Sequence, residues 1–454
     1  MKEMKLVNYR HRRRLSVLVV GCLLALSARG QRIMTLQECI EAARIGNTAA
    51  KDAQNDLLMA KEQQKFARSK YYPTVFASAS HFEATDYLIK TNLFSEEIQS
   101  ILHTIDDLIN TNFVGDLNYI KQSTLLGFTA LEPIYIGGRL KNYNKLADLQ
   151  VDARQKLISV TDDQIVQMTQ FLYYKIVELH ELDKSFASIE DELKSIYQDA
   201  VNIYENGIVN KNDVLAVELM QDQMSALRIK TANACRLLRR GLAKYMGMAN
   251  DDIDVDTRID EDITDPEQLR ANPLEAALNR TETQLLDIWV QKAKLESKIA
   301  KANMLPVVLV GGRFHYGKLV DTWQSSAVGF ATMLIPISPF WSDRHEYNRK
   351  KIEEQKAIDF KQDKSELITL QIMDAWDNLE SAYRQTQIAE KSIIRAEENL
   401  RIQREYYRNG LTNMTILLDA QRQQQVALTQ KTTAVSEYLQ AKTKYLILTG
   451  RSKY

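Results

Sequence analysis

Six histidines, three cysteines and a scattered set of carboxylates are the side chains in this 454-residue sequence with the means to ligate a metal, attack a bond or move a proton. Their spacing supports none of these chemistries. His11, His81, His103, His180, His315 and His345 form no metal-ligand pattern. Cys39 and Cys235 each lie inside a helical pattern and read as two buried thiols, a disulfide between them being permitted in an exported protein but not required. Gly311-Gly312 follows a strand-like run without opening into a phosphate loop, and no nucleotide motif occurs. An enzyme is therefore not expected, and neither is a cofactor. The 59 basic and 59 acidic residues cancel, which excludes the basic surface that nucleic acid demands.

The organisation lies instead in long helices. With 16 Gly and 7 Pro the chain is poor in helix breakers, and Arg139 to Asn206 runs without either. From Ile165 the apolar residues Met168, Leu172, Ile176, Leu179, Leu182, Phe186, Ile189, Leu193, Ile196, Ala200 and Ile203 recur at gaps of three and four, the period of a coiled-coil seam. At 1.5 Å per residue such a helix spans roughly 100 Å. It ends at Tyr204-Glu205-Asn206-Gly207-Ile208-Val209-Asn210, and a helical pattern returns from Asn212 to Arg240. The same order is written again: Ser342 to Asn409 lacks Gly and Pro, Tyr407-Arg408-Asn409-Gly410-Leu411-Thr412-Asn413 comes next, and a helix returns to Leu448. Pro133 and Pro336, Tyr204 and Tyr407, Gly207 and Gly410, Asn210 and Asn413, Leu215 and Leu418, and Gly247 and Gly450 all stand 203 residues apart, so the chain is an internal duplication in fixed register.

The chain divides into four parts. Residues 1–30 read as a secretory signal peptide, with Arg10, Arg12, Arg13 and Arg14 ahead of an apolar stretch too short to span a membrane, and a mature start at Gln31. Val19-Val20-Gly21-Cys22 offers a lipidated Cys22 as the competing start. The first repeat covers 31–249, with a short helix from Met34 to Gly46 opened by a Thr35–Glu38 capping box, a longer helix to Tyr72, and strands at about 74–87 and 122–131, the second stopping at Pro133. Between those strands lies a segment with an amphipathic stretch, Ile98 to Ile109. Residues 250–272 read as an acidic solvated connector. The second repeat, 273–454, has a helix from Pro273 to Met304, strands at about 307–316 and 326–335, and a turn at Gly317 to Asp321.

Four strands of membrane-spanning length leave two unpaired edges, which hydrocarbon does not tolerate, so the protomer must share its sheet. Two copies would make an eight-stranded barrel filled by side chains; three would make twelve strands around a passage. The duplicated order, the opening Thr35-Leu36-Gln37-Glu38, the Tyr72-Pro73 break and the two Tyr-x-x-Gly turns make the chain from Gln31 to Arg451 resemble the TolC-like outer-membrane efflux proteins. The resemblance implies a mainly α protein with membrane β: a homotrimer whose twelve-stranded β-barrel, seated in outer-membrane lipid of a Gram-negative bacterium, continues as a long α-helical barrel through the periplasm. It implies a passive exit duct for drugs and toxic compounds in a tripartite pump, with a periplasmic adaptor docking at the Gly207 and Gly410 tips and an inner-membrane transporter beyond. It also implies a gate at the tip, whose acidic and tyrosine positions fall on Asp213, Asp419 and Tyr407. Ile416 stands where some members carry a second aspartate, which implies a partly apolar constriction.

Other readings stand beside these. Asp213 in a first helical turn suits the helix dipole on its own. Gly207 and Gly410 serve equally as helix stops, and Tyr204 and Tyr407 as seam packing. The exit duct of a type I protein secretion system shares the architecture. A periplasmic adaptor would show one hairpin flanked by Gly-rich β-domains, and an exported structural coiled coil would have no use for four strands.

Overall fold

The computed structural model describes residues 32–84, 122–248, 252–258, 263–318 and 322–451. The signal segment with Cys22, the Ile98 to Ile109 stretch, strand residues 85–87 and most of the Gly317 to Asp321 turn lie outside them. In chain order the elements are β1 (Arg32–Met34), α1 (Leu36–Gly46), α2 (Thr48–Ser69), β2 (Thr74–Glu83), β3 (Gln122–Ile136), α3 (Arg139–Glu205), α4 (Lys211–Tyr245), β4 (Ile253–Val255), α5 (Pro273–Asn279), α6 (Thr281–Ala302), β5 (Val307–Lys318), β6 (Trp323–Leu334), α7 (Asp343–Arg408) and α8 (Met414–Leu448). They form two compact units, one drawn from Met1–Leu57, Arg154–Leu286 and Lys361–Tyr454, the other from Leu58–Ala153 and Asp287–Phe360.

The second of these units holds a four-stranded antiparallel sheet in the order β2-β3-β5-β6. Its rows are set by register. Ala77, Phe128, Phe314 and Ala327 stand opposite one another, as do Ala79, Leu126, Tyr316 and Ser325. The rows between them point to the other face: Phe76, Thr129, Arg313 and Val328, then Ser78, Gly127, His315 and Ser326. Glycines distinguish the two faces. A Cβ on Gly127 would come 2.8 Å from the Phe314 carbonyl oxygen, and one on Gly311 would come 2.5 Å from the Phe330 ring; on the opposite face Gly312 has no neighbour nearer than 3.9 Å and Gly329 none within 4 Å. Curvature crowds side chains on a sheet's concave side, so the Arg313 face is concave and the Phe128 face convex.

The sheet corrects two sequence expectations. β3 does not stop at Pro133: it continues to Ile136 through a register shift between Pro133 and Tyr135, an inserted residue being how a strand carries on past a proline that cannot donate to the ladder. Gly317 is in a strand rather than a turn, paired with Leu125 and Gln324, and β6 starts at Trp323, three residues before the expected Ser326.

The helical unit buries the expected seam. Ile165, Ile176, Phe186, Ile189, Leu193 and Ile196 of α3 are all buried, whereas Met168 is 45% exposed. Toward the α3–α4 turn they pack with Val214 and Val217 of α4, Leu400 and Tyr407 of α7, and Met414 and Leu417 of α8. A second cluster joins Tyr173, Leu242, Trp376, Tyr438 and Tyr445 with Met34, Ile253 and Val255. The Thr35–Glu38 capping box forms as expected. The acidic connector is another correction. Ile253 and Val255 are buried in β4, which pairs in parallel with β1, so Met34 belongs to a strand rather than to the opening helix. Asp252, Asp254 and Asp256 alternate with those two apolar residues, a strand period that the charge run conceals. The expected helix from Pro273 to Met304 breaks at Arg280, whose backbone is extended, into α5 and α6. Neither Gly nor Pro marks that break; the Thr283 hydroxyl donates to the Ala277 carbonyl across it at 2.6 Å.

Candidate functional site

Four helix ends share one geometry. At the α3 end Gly207 has φ of 73°, its N–H donates to the Tyr204 carbonyl at 2.8 Å, and the Ile208 N–H donates to Ile203 at 3.1 Å. At the α7 end Gly410 has φ of 71°, with Gly410 donating to Tyr407 at 3.0 Å and Leu411 to Tyr406 at 2.8 Å. This paired bonding around a left-handed residue closes a helix, and glycine adopts that conformation without the cost a Cβ imposes. Gly247 and Gly450 repeat it after α4 and α8. The two tips differ from the other two ends in the residue next to the glycine. Ile208 is 72% exposed and Leu411 71%, so each tip presents one bare aliphatic side chain.

Beyond the tips the helices restart differently. Asn413 caps α8, its side-chain oxygen accepting the Ile416 N–H at 3.0 Å. Asn210 makes no such side-chain cap for α4, and Asp213 supplies the acidic charge in that first turn, at the positive end of the helix dipole. Ile416, the third residue of its own helix as Asp213 is of α4, is about half exposed.

Of the residues assigned to a gate, the structure brings Tyr407 and Asp213 together. Tyr407 is buried among Val214, Val217, Met414 and Leu417. Burial pushes its hydroxyl up to about 12, and the negative charges of Asp213 and Asp199 push the same way. The hydroxyl has no hydrogen-bond partner among the described residues. Tyr204, its counterpart 203 residues earlier, is exposed. Asp419 stands apart. It accepts from the Arg422 guanidinium one turn on and from the Gln423 side chain at 2.7 Å, and these two bonds, with the charge of Arg422, hold its carboxyl below the usual range. Asp419 is therefore half of an ion pair, not a bare carboxylate.

Sequence reasoning missed the groups that lock the tip. Arg408 of α7 donates to Asp199 of α3 at 3.0 Å, while Arg404 contacts the Ser195 hydroxyl and lies 3.8 Å from both Glu192 and Asp199. No short-range pattern signals pairs that lie 209 residues apart. The Asp419–Arg422 pair was legible, since residues three apart share a helix face. A third group links helices to β4: His180 Nε2 lies 2.8 Å from Asp254 and 3.6 Å from Cys235 Sγ, and Arg239 donates to the Ile253 carbonyl at 2.8 Å. Both contacts of His180 fall on the same nitrogen, so this is not a nucleophile–base–carboxylate relay. Cys39 and Cys235 are both free and buried, and burial pushes the Cys39 thiol up to about 12. Among the described residues no cluster of three or more His, Cys, Asp or Glu side chains could hold a metal.

A twice-written order of helix, strand, strand, long helix and returning helix, with all four strands in one antiparallel sheet, defines the fold of the TolC-like outer-membrane channels. Solved structures of that fold superpose on this chain. A structure of CusC, whose conformational changes accompany folding and transmembrane channel formation, matches at a TM-score of 0.79 with 13% identity, over 92% of each chain. The outer-membrane channel OprN matches at 0.76 with 15% identity over 92% of this chain and 90% of its own. The outer membrane protein VceC from Vibrio cholerae matches at 0.75 with 14% identity over 91% and 96%. No family model and no curated protein matches the sequence. At such identities the likeness is one of fold.

Proposed function

We propose that the protein is a passive outer-membrane exit duct of a tripartite efflux assembly, working as a homotrimer. The observation that carries this is the sheet: β2 and β6 are open edges, while the convex face presents Val75, Leu126, Phe128, Phe314, Tyr316 and Met333, each at least 45% exposed. Open edges are tolerated in lipid only when another sheet closes on them, and three copies of four strands make a barrel wide enough to pass cargo. Among the described residues no helix is long and apolar enough to cross a membrane. The helical unit supports the same assembly. Leu215, Leu219, Ile229 and Leu237 of α4 and Leu367 and Leu370 of α7 stand exposed, apolar faces of the kind neighbouring copies cover in a tube of helices.

In this reading residues 1–30 direct export, the Ile208 and Leu411 tips meet a periplasmic adaptor beside Gly207 and Gly410, and an inner-membrane transporter supplies the energy. The gate is formed by Asp213, by the half-exposed Ile416 and by the Asp419–Arg422 pair, with Tyr407 buried in the seam beside Asp213 rather than lining the passage. The test is fractionation, then mass measurement in detergent: the protein should leave the membrane only with detergent and have three times the protomer mass. A soluble periplasmic monomer would refute the proposal.

A further inference from the structure

We propose that Arg313 makes the barrel lumen a filter that favours anions, so that the duct's cargo carries carboxylate, sulfonate or phosphate groups. The inference rests on the duct reading above and adds a cargo class to it. Arg313 lies midway along β5, in the concave row Phe76, Thr129, Arg313 and Val328. It is exposed and makes no ion pair or side-chain hydrogen bond among the described residues.

The rest of that face sharpens the point. Concave positions alternate with convex ones, and among the described residues of the sheet none of the concave positions is Asp or Glu; Glu83, which pairs with Gln122, and Glu132, which pairs with Val310, both fall on the convex face. Lys318 also falls there. The adjoining concave row adds His315, hydrogen-bonded to the Ser326 hydroxyl at 3.0 Å. Among the described residues Arg313 is thus the one permanently charged side chain of the concave face. A guanidinium in mid-strand with no partner contributes nothing to the ladder or to packing that a threonine would not.

Closing three sheets on one axis sets three guanidiniums at one level, separated by phenyl, hydroxyl and isopropyl groups and facing no counter-charge among the described residues. Low-dielectric walls focus the field of such a ring into the passage and raise the local concentration of the opposite charge. The planar fork of each guanidinium also matches carboxylate, sulfonate and phosphate oxygens in pairs. The interleaved Phe76 side chains give an organic anion an apolar surface beside the charge.

The test is the reversal potential of the full-length trimer in a planar bilayer of neutral lipid, under a KCl gradient at low ionic strength, where a Debye length of about 30 Å leaves the ring unscreened. R313Q should raise the potassium-to-chloride permeability ratio, R313E should raise it roughly tenfold or more, and R313K should leave it near wild type. Trivalent hexacyanoferrate added on the barrel side should block wild type and R313K and spare R313Q. Should R313E fail to assemble, R313Q and R313K still decide the matter. A conducting wild type whose permeability ratio is the same in R313Q, with hexacyanoferrate block unchanged, would overturn the filter and leave the duct standing. A trimer that carries no current in wild type and stays silent when Arg408→Ala removes the Arg408–Asp199 pair at the tip would overturn the duct reading and the filter with it.

Discussion

Four glycines with nearly the same backbone angles should respond to one substitution in two different ways. Gly207, Gly247, Gly410 and Gly450 all have φ between 67° and 76°. Alanine at any of them must hold a left-handed conformation, at a cost of roughly 1–2 kcal/mol, partly offset by about 0.4–1 kcal/mol from a less flexible unfolded chain. At Gly207, Gly410 and Gly450 a new Cβ meets nothing within 4 Å, so the loss should stay near that difference, about 1 kcal/mol. At Gly247 the same Cβ would lie 2.6 Å from the Gly46 carbonyl oxygen and 2.9 Å from its Cα, so two backbones must part. Forcing atoms into a packed site adds about 1–3 kcal/mol, which brings Gly247→Ala to roughly 2–4 kcal/mol. Gly46→Ala, at an ordinary helical residue, should rank with it, because its Cβ would overlap the Met246 carbonyl. The assay is the guanidinium midpoint of the far-ultraviolet helical signal for the purified protein in detergent. The expected order is Gly207→Ala, Gly410→Ala and Gly450→Ala close to wild type, with Gly46→Ala and Gly247→Ala well below. Equal losses at Gly207 and Gly247 would refute the reasoning, since they would mean that the backbone angle alone sets the cost. The Gly207 and Gly410 variants should also still form trimers while binding a periplasmic adaptor less well.

Tyr407→Phe removes a buried hydroxyl that lacks a partner among the described residues, so it should raise stability by about 1 kcal/mol, read from the denaturation midpoint; a clear loss would show that the hydroxyl makes a stabilising contact. Arg422→Ala should free the Asp419 carboxylates and create a block of conductance by trivalent cations from the periplasmic side, and Asp419→Ala added to it should abolish the block. An Arg422→Ala channel no more sensitive than wild type would place Asp419 away from the passage. His180 is raised from 6.5 to about 9 by its hydrogen bond to Cys235 and, against the opposing effect of burial, by Asp254. A folded value above the unfolded one means that this contribution is complete below pH 6.5 and fades as pH rises through about 9. Stability tracked by thermal melting should therefore fall over that window, and His180→Gln should flatten the fall; an unchanged profile would mean the cluster does not titrate there.

The helical skeleton was legible because its signals are local. Absence of Gly and Pro, the 3.5-residue seam and the Tyr-x-x-Gly turns locate α3, α4, α7 and α8 within a few residues at most ends. The misses arose where a tertiary contact outweighed a local sign. Pro133 would end a strand except where a bulge accommodates it, and the bulge has no mark of its own. Ile253 and Val255 were hidden under their own aspartates, although alternation was there to be read. At the candidate gate, type and spacing pointed to Asp213, Tyr407 and Asp419, but charge state depends on neighbours: Arg422 was within reach of a helical-spacing argument, whereas Arg404 and Arg408 meet Asp199 only once the helices are packed.

The pairing of β3 with β5 also sets an order of events. From Gly127 to its partner His315 is 188 positions, so the two central strands of the sheet come from different repeats. β2 and β3 lie far closer together in sequence and emerge first, yet the inner edge of that pair waits for the whole of α3, α4 and α6 before β5 exists. Loop closure over such a distance is slow, and an open apolar hairpin is prone to pair wrongly meanwhile. Helix pairing through α3 and α4 is local by comparison. Helices should therefore form early and shorten the search that brings β5 to β3, leaving the sheet as the last part of each protomer to close. A chain halted between the repeats would hold a finished helical hairpin and a strand pair with nothing to join.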